Sequence, residues 1–250
     1  VVSRDAQGNV SYTNLNRTTI LDGTGRYVSP LEEAPVDAHS LWNEYAIDKD
    51  DTGTLVVIRE PDTKQQPANF LRKLRKDRPP ESIAGRFNRF INAGALEITM
   101  QNGVCGTCEV LEAPDPLDQT AEGVQVHTSH SDTFHLNENV SVDYDVTIVE
   151  HQEGLPALSG VYVYIGDTML KFDQETWFGM YKSGTVHSYR YPIRVELSFA
   201  TKSEFFKVAE FASAKHDLRL RERSFSDHLR DSRYVGQVIR DAETRRKKRL

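Results

Sequence analysis

From Val140 to Val149 the apolar side chains fall on every second residue, Val142, Tyr144, Val146 and Ile148, with Ser141, Asp143, Asp145 and Thr147 between them. Successive side chains of a strand point to opposite faces, so a period of two predicts a half-buried β-strand with a core on one side and water on the other. Such a strand is not stable alone and needs paired strands and a second layer. The neighbouring sequence supplies them. Gly160-Val161-Tyr162-Val163-Tyr164-Ile165-Gly166-Asp167 reads as a strand running into a turn, and Ile193 to Phe199 as another. Leu96 to Met100 alternates ahead of Asn102-Gly103, a dipeptide suited to a tight hairpin turn. From Ala95 onward the chain is therefore expected to be rich in strands, with Trp177, Phe178 and Met180 in its core or at its edge.

Before that region the period differs. Phe70, Leu71 and Leu74, then Ile83, Phe87, Phe90 and Ile91, recur at steps of three and four, which predicts two helices separated at Pro79-Pro80. Val1 to Asn14 reads as a hairpin turning at Gln7-Gly8-Asn9, and residues 22–40 as an exposed loop rich in glycine, proline and acids. Gly53-Thr54-Leu55-Val56-Val57-Ile58 reads as a buried strand bounded by Asp50-Asp51 and Pro61. Ser224 to the C-terminus reads as one closing helix, capped by Ser224 or Ser226, with Asp227 in its first turn and Leu229, Val235, Val238 and Ile239 on its inner face. Its end, Arg245-Arg246-Lys247-Lys248-Arg249, complements the helix dipole and is otherwise expected to fray into solvent. The expected class is α+β.

At 250 residues and 38% hydrophobic, the chain has material for one sizeable core or two smaller ones. A formal net charge of -6 gives no general attraction to nucleic acid. Any polyanion contact must then be local, at Arg72, Lys73, Arg75, Lys76 and Arg78 or at the basic tail. The first of these runs lies on a predicted helix, where it forms either a solvated face or a contact to a phosphate backbone. No apolar run reaches the length of a membrane span, and the N-terminus has no charged-then-apolar signal pattern, so a cytoplasmic location with no membrane partner is expected. Val1 and Val2 open the chain in mid-strand without an initiator methionine, which suggests a piece of a larger protein.

The two cysteines form Cys105-Gly106-Thr107-Cys108, and His127, His130 and His135 follow. Thiolate and imidazole are ligands that zinc prefers, and Cys105, Cys108, His127 and His130 together would make a four-ligand set. The histidines, however, fall in a polar Thr-Ser-Asp stretch read as a loop, with nothing to enforce their geometry. The Cys pair follows a hairpin turn, whereas redox pairs of this spacing open a helix. They are read as hairpin residues in a reducing compartment. No Gly-x-x-x-x-Gly-Lys-Ser/Thr loop and no Gly-x-Ser-x-Gly elbow occurs, and Asp22-Gly23-Thr24-Gly25, lacking a preceding strand, reads as a turn. In Ser213-Ala214-Lys215-His216-Asp217-Leu218-Arg219-Leu220 a small-residue turn delivers Lys215 and the chain then alternates into Leu218 and Leu220. That puts a cation on a loop at a strand's mouth, where it can reach an anion such as phosphate.

Five stretches also come in a telling order: Gly53-Thr54 before an apolar strand; Gln66-Pro67-Ala68-Asn69-Phe70-Leu71; Tyr162-Val163-Tyr164-Ile165-Gly166-Asp167-Thr168-Met169; Arg194-Val195-Glu196-Leu197; and Ala214-Lys215-His216-Asp217-Leu218-Arg219-Leu220. Together they resemble the GHKL ATPase superfamily (gyrase, heat-shock chaperone, histidine kinase, MutL), in the part that follows the ATP lid, with MutL-type mismatch-repair ATPases the best match. The resemblance implies terminal strands of a nucleotide domain over 1–60, a helical connector over 61–94, and a ribosomal-protein-like βαβ transducer domain with a C-terminal helix over 95–250. It implies that Gly53 and Thr54 lie at the adenine side of ATP and that Lys215 reaches the γ-phosphate. The parent is then a homodimeric ATPase using ATP and Mg and acting on DNA.

The family's catalytic glutamate, Mg-binding asparagine, Asp-x-Gly-x-Gly and Gly-rich lid are not found, and Phe211-Ala212-Ser213 replaces its Asn-Pro-x-x-x before the lysine. This chain without its nucleotide domain is therefore not expected to hold ATP tightly or to hydrolyse it. Two other readings stand beside this one. The first is a non-enzymatic module holding DNA or a protein through the Arg72 to Arg78 helix and the basic tail; the second is a zinc-stabilised adaptor.

Overall fold

The computed structural model of the protein describes residues 2–12, 32–33, 36–45, 52–55, 82–102, 107–113, 115–117, 123–152, 156–181, 187, 190–212, 217–220 and 223–249. By contacts the chain divides into two units, Val1–Gln65 and Gln66–Leu250.

In the first unit, β1 (Val2–Arg4) pairs antiparallel with β2 (Val10–Tyr12), Val2 opposite Tyr12 and Arg4 opposite Val10. The hairpin read from Gln7-Gly8-Asn9 is thus present. Its turn is organised by Asp5, whose carboxylate accepts the backbone N–H groups of Gln7 (2.9 Å) and Asn9 (2.8 Å) and the Asn9 amide (2.8 Å). Those bonds, the Asn9 side chain's first, hold the Asp5 carboxyl below its ordinary range. β3 (Glu32–Glu33) and β4 (Gly53–Leu55) complete a sheet in the order β3-β2-β1-β4. The stretch read as a loop over 22–40 does not stay a loop: α1 runs from Val36 to Tyr45 and buries Trp42. Pro35 directly before it is the signal that was there to read, since proline suits a helix start.

The second unit is built on a mixed five-stranded sheet. Its strands are β7 (Val124–Asn137), β8 (Val140–His151), β9 (Gly160–Ile165), β10 (Thr168–Asp173) and β11 (Ile193–Phe199), in the order β10-β9-β11-β8-β7. Two antiparallel hairpins, β7–β8 and β9–β10, are joined through β11, which runs antiparallel to β8 and parallel to β9. Strand β9 is interior to the sheet and buried along most of its length, so its sequence reads as a near-continuous apolar run. β7 corrects the reading of residues around His127 and His130 as a polar loop. Ser, His and Asp are poor strand signals by themselves; here the alternating β8 opposite them selects the conformation.

Ahead of the sheet lie α2 (Ile83–Arg86), α3 (Asn88–Asn92) and a hairpin of β5 (Thr99–Asn102) with β6 (Thr107–Val110). The Ser82 hydroxyl caps α2 by accepting the Gly85 N–H at 3.0 Å. The helix expected over Ile83 to Ile91 is interrupted at Phe87, whose φ of -110° and ψ of 20° leave the helical region. After the sheet come α4 (Phe205–Val208), a hairpin of β12 (Ala209–Ala212) with β13 (Asp217–Leu220), α5 (Arg223–Asp231) and α6 (Gly236–Lys247). The single C-terminal helix is therefore two, parted at 232–235. The Ser226 hydroxyl donates to the Arg223 carbonyl at 3.2 Å and so does not cap α5. Gly236 is required where the helices meet: a Cβ there would lie 1.7 Å from the Arg230 carbonyl oxygen.

One face of the sheet carries the main core. Val142, Tyr144, Val146, Ile148, Val195 and Leu197 pack with Phe225, Leu229 and Ile239 of the closing helices and with Trp177, Phe178 and Met180, as their apolar character required. Trp177 and Phe178 adopt left-handed φ of 51° and 56°, held by Asp173, whose carboxylate accepts the N–H groups of Glu175, Thr176 and Phe178. Tyr162, Tyr164 and Met169 form a smaller cluster. There Arg89 of α3 pairs with Glu196, bonds Ser198 and Gly166, and lies 4.0 Å over the Tyr164 ring.

The basic tail does not simply fray. Arg245 and Arg246 both donate to Glu150, whose side chain is 2% exposed, and Arg246 also donates to the Gln152 carbonyl at 2.9 Å. Arg190 pairs with Glu243 of the same helix and stacks 3.8 Å from the Tyr181 ring centroid. No helix among the described residues is long and apolar enough to cross a membrane.

Candidate functional site

Lys215 belongs to the connection 213–216 of the β12–β13 hairpin, in which Ala212 opposes Asp217 and Ala209 opposes Leu220. The alternation through Leu218 and Leu220 thus does form a strand. The placement of Lys215 itself lies outside the described residues. α4 runs directly into β12 and buries Phe205 and Val208 in the main core, and two residues after β13 the chain enters α5, which buries Phe225 and Leu229. β13 also packs against β10 and α5. A loop closed by strands and anchored at both ends is the usual way to present a side chain to a ligand.

Gly53 and Thr54 lie on β4 in the first unit, their backbones opposite Arg4 and Ser3, and their side chains fall outside the described residues. Arg72, Lys73, Arg75, Lys76 and Cys105 lie outside them entirely, and of Cys108 only the backbone, paired with Gln101 in β6, is described. His127 and His130 are corrected. They stand on opposite faces of β7, His127 exposed and 3.1 Å from the Ser129 hydroxyl, His130 stacked on Tyr234 with ring centroids 3.3 Å apart. Two side chains on opposite faces of one strand cannot share a metal ion. Among the described residues no group of three or more His, Cys, Asp or Glu is placed to hold one.

Sequence reasoning missed a polar cluster where α5 meets the β7–β8 hairpin. Tyr144 Oη lies 3.1 Å from Asp132 Oδ2 and 3.0 Å from His228 Nε2, and the last two atoms are 3.4 Å apart. The phenol has one hydrogen. Given to the carboxylate, it leaves the phenol oxygen to accept from His228, so Nε2 carries a hydrogen. Burial, then the charge and hydrogen bond of Asp132, push the Tyr144 phenol well above its ordinary range. A cleft of about 390 Å³, lined by Asp132, Ser224, Asp227, His228, Ser232 and Tyr234 among others, opens beside the cluster. The three polar groups satisfy one another, and the arrangement's evident work is to pin α5 to the sheet. Only their pairing across strand and helix reveals it; no local motif does. Compared with known proteins, the chain matches no family model, no curated protein and no solved structure.

Proposed function

We propose that this chain is the part of a GHKL-type ATPase that follows the ATP lid, the last strands of the nucleotide domain and the transducer domain, with Lys215 as the cation for the γ-phosphate of ATP. The observation that carries the reading is the β12–β13 hairpin, because it sets the connection bearing Lys215 on two paired strands with buried anchors at either end. Consistent with it, Tyr162 to Met169 runs through the β9–β10 hairpin, Arg194 to Leu197 lies on the strand between the hairpins, and Gly53-Thr54 opens a strand. Fold detail at the level of a βαβ transducer, and the Gly53 and Thr54 contacts to nucleotide, belong to this proposal.

In the intact protein, ATP and Mg bind to a nucleotide domain preceding this chain. A positive charge preorganised at the γ-phosphate stabilises the charge that develops there during transfer. The lysine reaches the phosphate only when the two domains dock, which makes hydrolysis a conformational switch in a cytoplasmic homodimer acting on DNA. The test is Mg-dependent ATP turnover by the protein extended upstream of Val1. Turnover is expected, together with an Asn-bearing helix and Asp-x-Gly-x-Gly in the added sequence; a complete protein without either ends the reading. The DNA-module alternative loses part of its support, because Arg245 and Arg246 of the tail are held by Glu150.

A further inference from the structure

Strand β11 presents Ile193, Val195, Leu197 and Phe199 to the main core and Arg194, Glu196 and Ser198 to the other face of the sheet. On that face Arg89 holds Glu196 and Ser198, whereas Arg194 pairs with no acid among the described residues. Its Nη1 donates to the Pro116 carbonyl at 2.9 Å and to His151 Nε2 at 3.1 Å. An imidazole nitrogen that accepts belongs to a neutral ring, so both partners are uncharged. Nε is enclosed and bonds nothing, and Nη2 has no partner among the described residues. The other buried charges are answered: Arg190 pairs with Glu243, Glu150 receives Arg245 and Arg246, and both oxygens of Asp173 accept backbone N–H groups. Guanidinium donors left unmet out of water are costly. Burial lowers the pKa of Arg194 from its ordinary value, with Tyr162 and Asp115 acting the other way. Asp115 itself is exposed and turns Oδ1 to the Leu117 N–H at 3.1 Å.

We propose that the Nε–Nη2 edge of Arg194 is a binding site for a small carboxylate anion. The two N–H groups of that edge lie side by side and match the two oxygens of a carboxylate, the bidentate pairing that suits a guanidinium best. Arg194 keeps 6% of its surface and is bonded to Pro116, whose neighbour Asp115 is exposed, so the edge lies just beneath the surface. Asp115 also limits the charge the site accepts. A monoanion neutralises the guanidinium, while a phosphate dianion would leave excess negative charge beside that acid. The proposal does not depend on the ATPase reading.

Sodium acetate is the probe, added to the chain as it stands, with sodium chloride at equal ionic strength as the control. In proton–nitrogen correlation spectra an enclosed Arg194 Nε–H exchanges slowly and is resolved from the exposed arginines. Acetate is expected to move that signal downfield to saturation, half-way at millimolar concentration, and chloride to leave it in place. Acetate should also raise the melting temperature, an increment that vanishes in Arg194→Gln and persists in Asp115→Asn. If Arg194→Gln does not fold, the spectra of the wild type decide alone. Inorganic phosphate is expected to bind more weakly than acetate. An Nε–H signal indifferent to acetate, an equal response to chloride, binding retained in Arg194→Gln, acetate binding that appears only in Asp115→Asn, or tighter binding of phosphate overturns the proposal.

Discussion

Arg245 donates through Nε and Nη2 to one oxygen of Glu150, at 3.2 and 2.7 Å, while Arg246 takes the other at 3.1 Å. The carboxylate is 2% exposed, so its charge is out of water and held by these two guanidinium groups from the last turn of α6. Removing one member of a buried pair costs more than the pair contributes, because the charge left behind has lost its solvent and its partner.

Arg246→Ala, which leaves the buried Glu150 carboxylate with one partner fewer, is therefore expected to lower the stability of the second unit by about 3 kcal/mol. Arg245→Ala should cost less, about 1 kcal/mol, since that side chain is 40% exposed. Urea unfolding followed by circular dichroism measures both. Equal, small shifts in midpoint would show that the tail is not anchored.

Gly236→Ala puts a methyl group against the Arg230 carbonyl, where an ideal Cβ falls 1.7 Å from the oxygen. The backbone cannot yield without moving α5 or α6, so a loss of about 2–3 kcal/mol is expected. Gln237→Ala, one residue on and exposed, is the control and should be near neutral.

Tyr144, Tyr162 and Tyr164 are buried, and desolvation raises all three phenols well above their ordinary range. A folded pKa above the unfolded one means stability that is complete below about pH 10 and declines above it, as the unfolded chain's tyrosines ionise first. Absorbance titration at alkaline pH should show these three of the 10 tyrosines ionising only with unfolding. Ionisation of all of them before any loss of circular dichroism would contradict the burial described.

Much of this fold was legible because local pattern and tertiary demand agree. Ile193 to Phe199 alternates apolar with polar residues, the period of a strand, and is one; Gln7-Gly8-Asn9 has turn chemistry and forms a turn. β7 was illegible because Gln125, His127, Ser129 and Ser131 face water, and only pairing with β8 makes them a strand. The break before Gly236 and the anchoring of Arg245 depend on contacts between segments, the latter spanning 95 residues, which no window of sequence contains. For the candidate site, sequence alternation identified the strand that follows Lys215, β13, but not its partner β12, whose pairing only the fold reveals. The Asp132, Tyr144 and His228 cluster emerges only when β7, β8 and α5 are brought together.

The most direct measurement is ATP turnover by the intact protein carrying Lys215→Ala, with circular dichroism and melting to show that it folds. Loss of one preorganised cation at a transferring phosphate predicts a fall in kcat of about a hundred- to a thousand-fold with little change in stability. Turnover at the wild-type rate would contradict the assignment of Lys215 to the γ-phosphate.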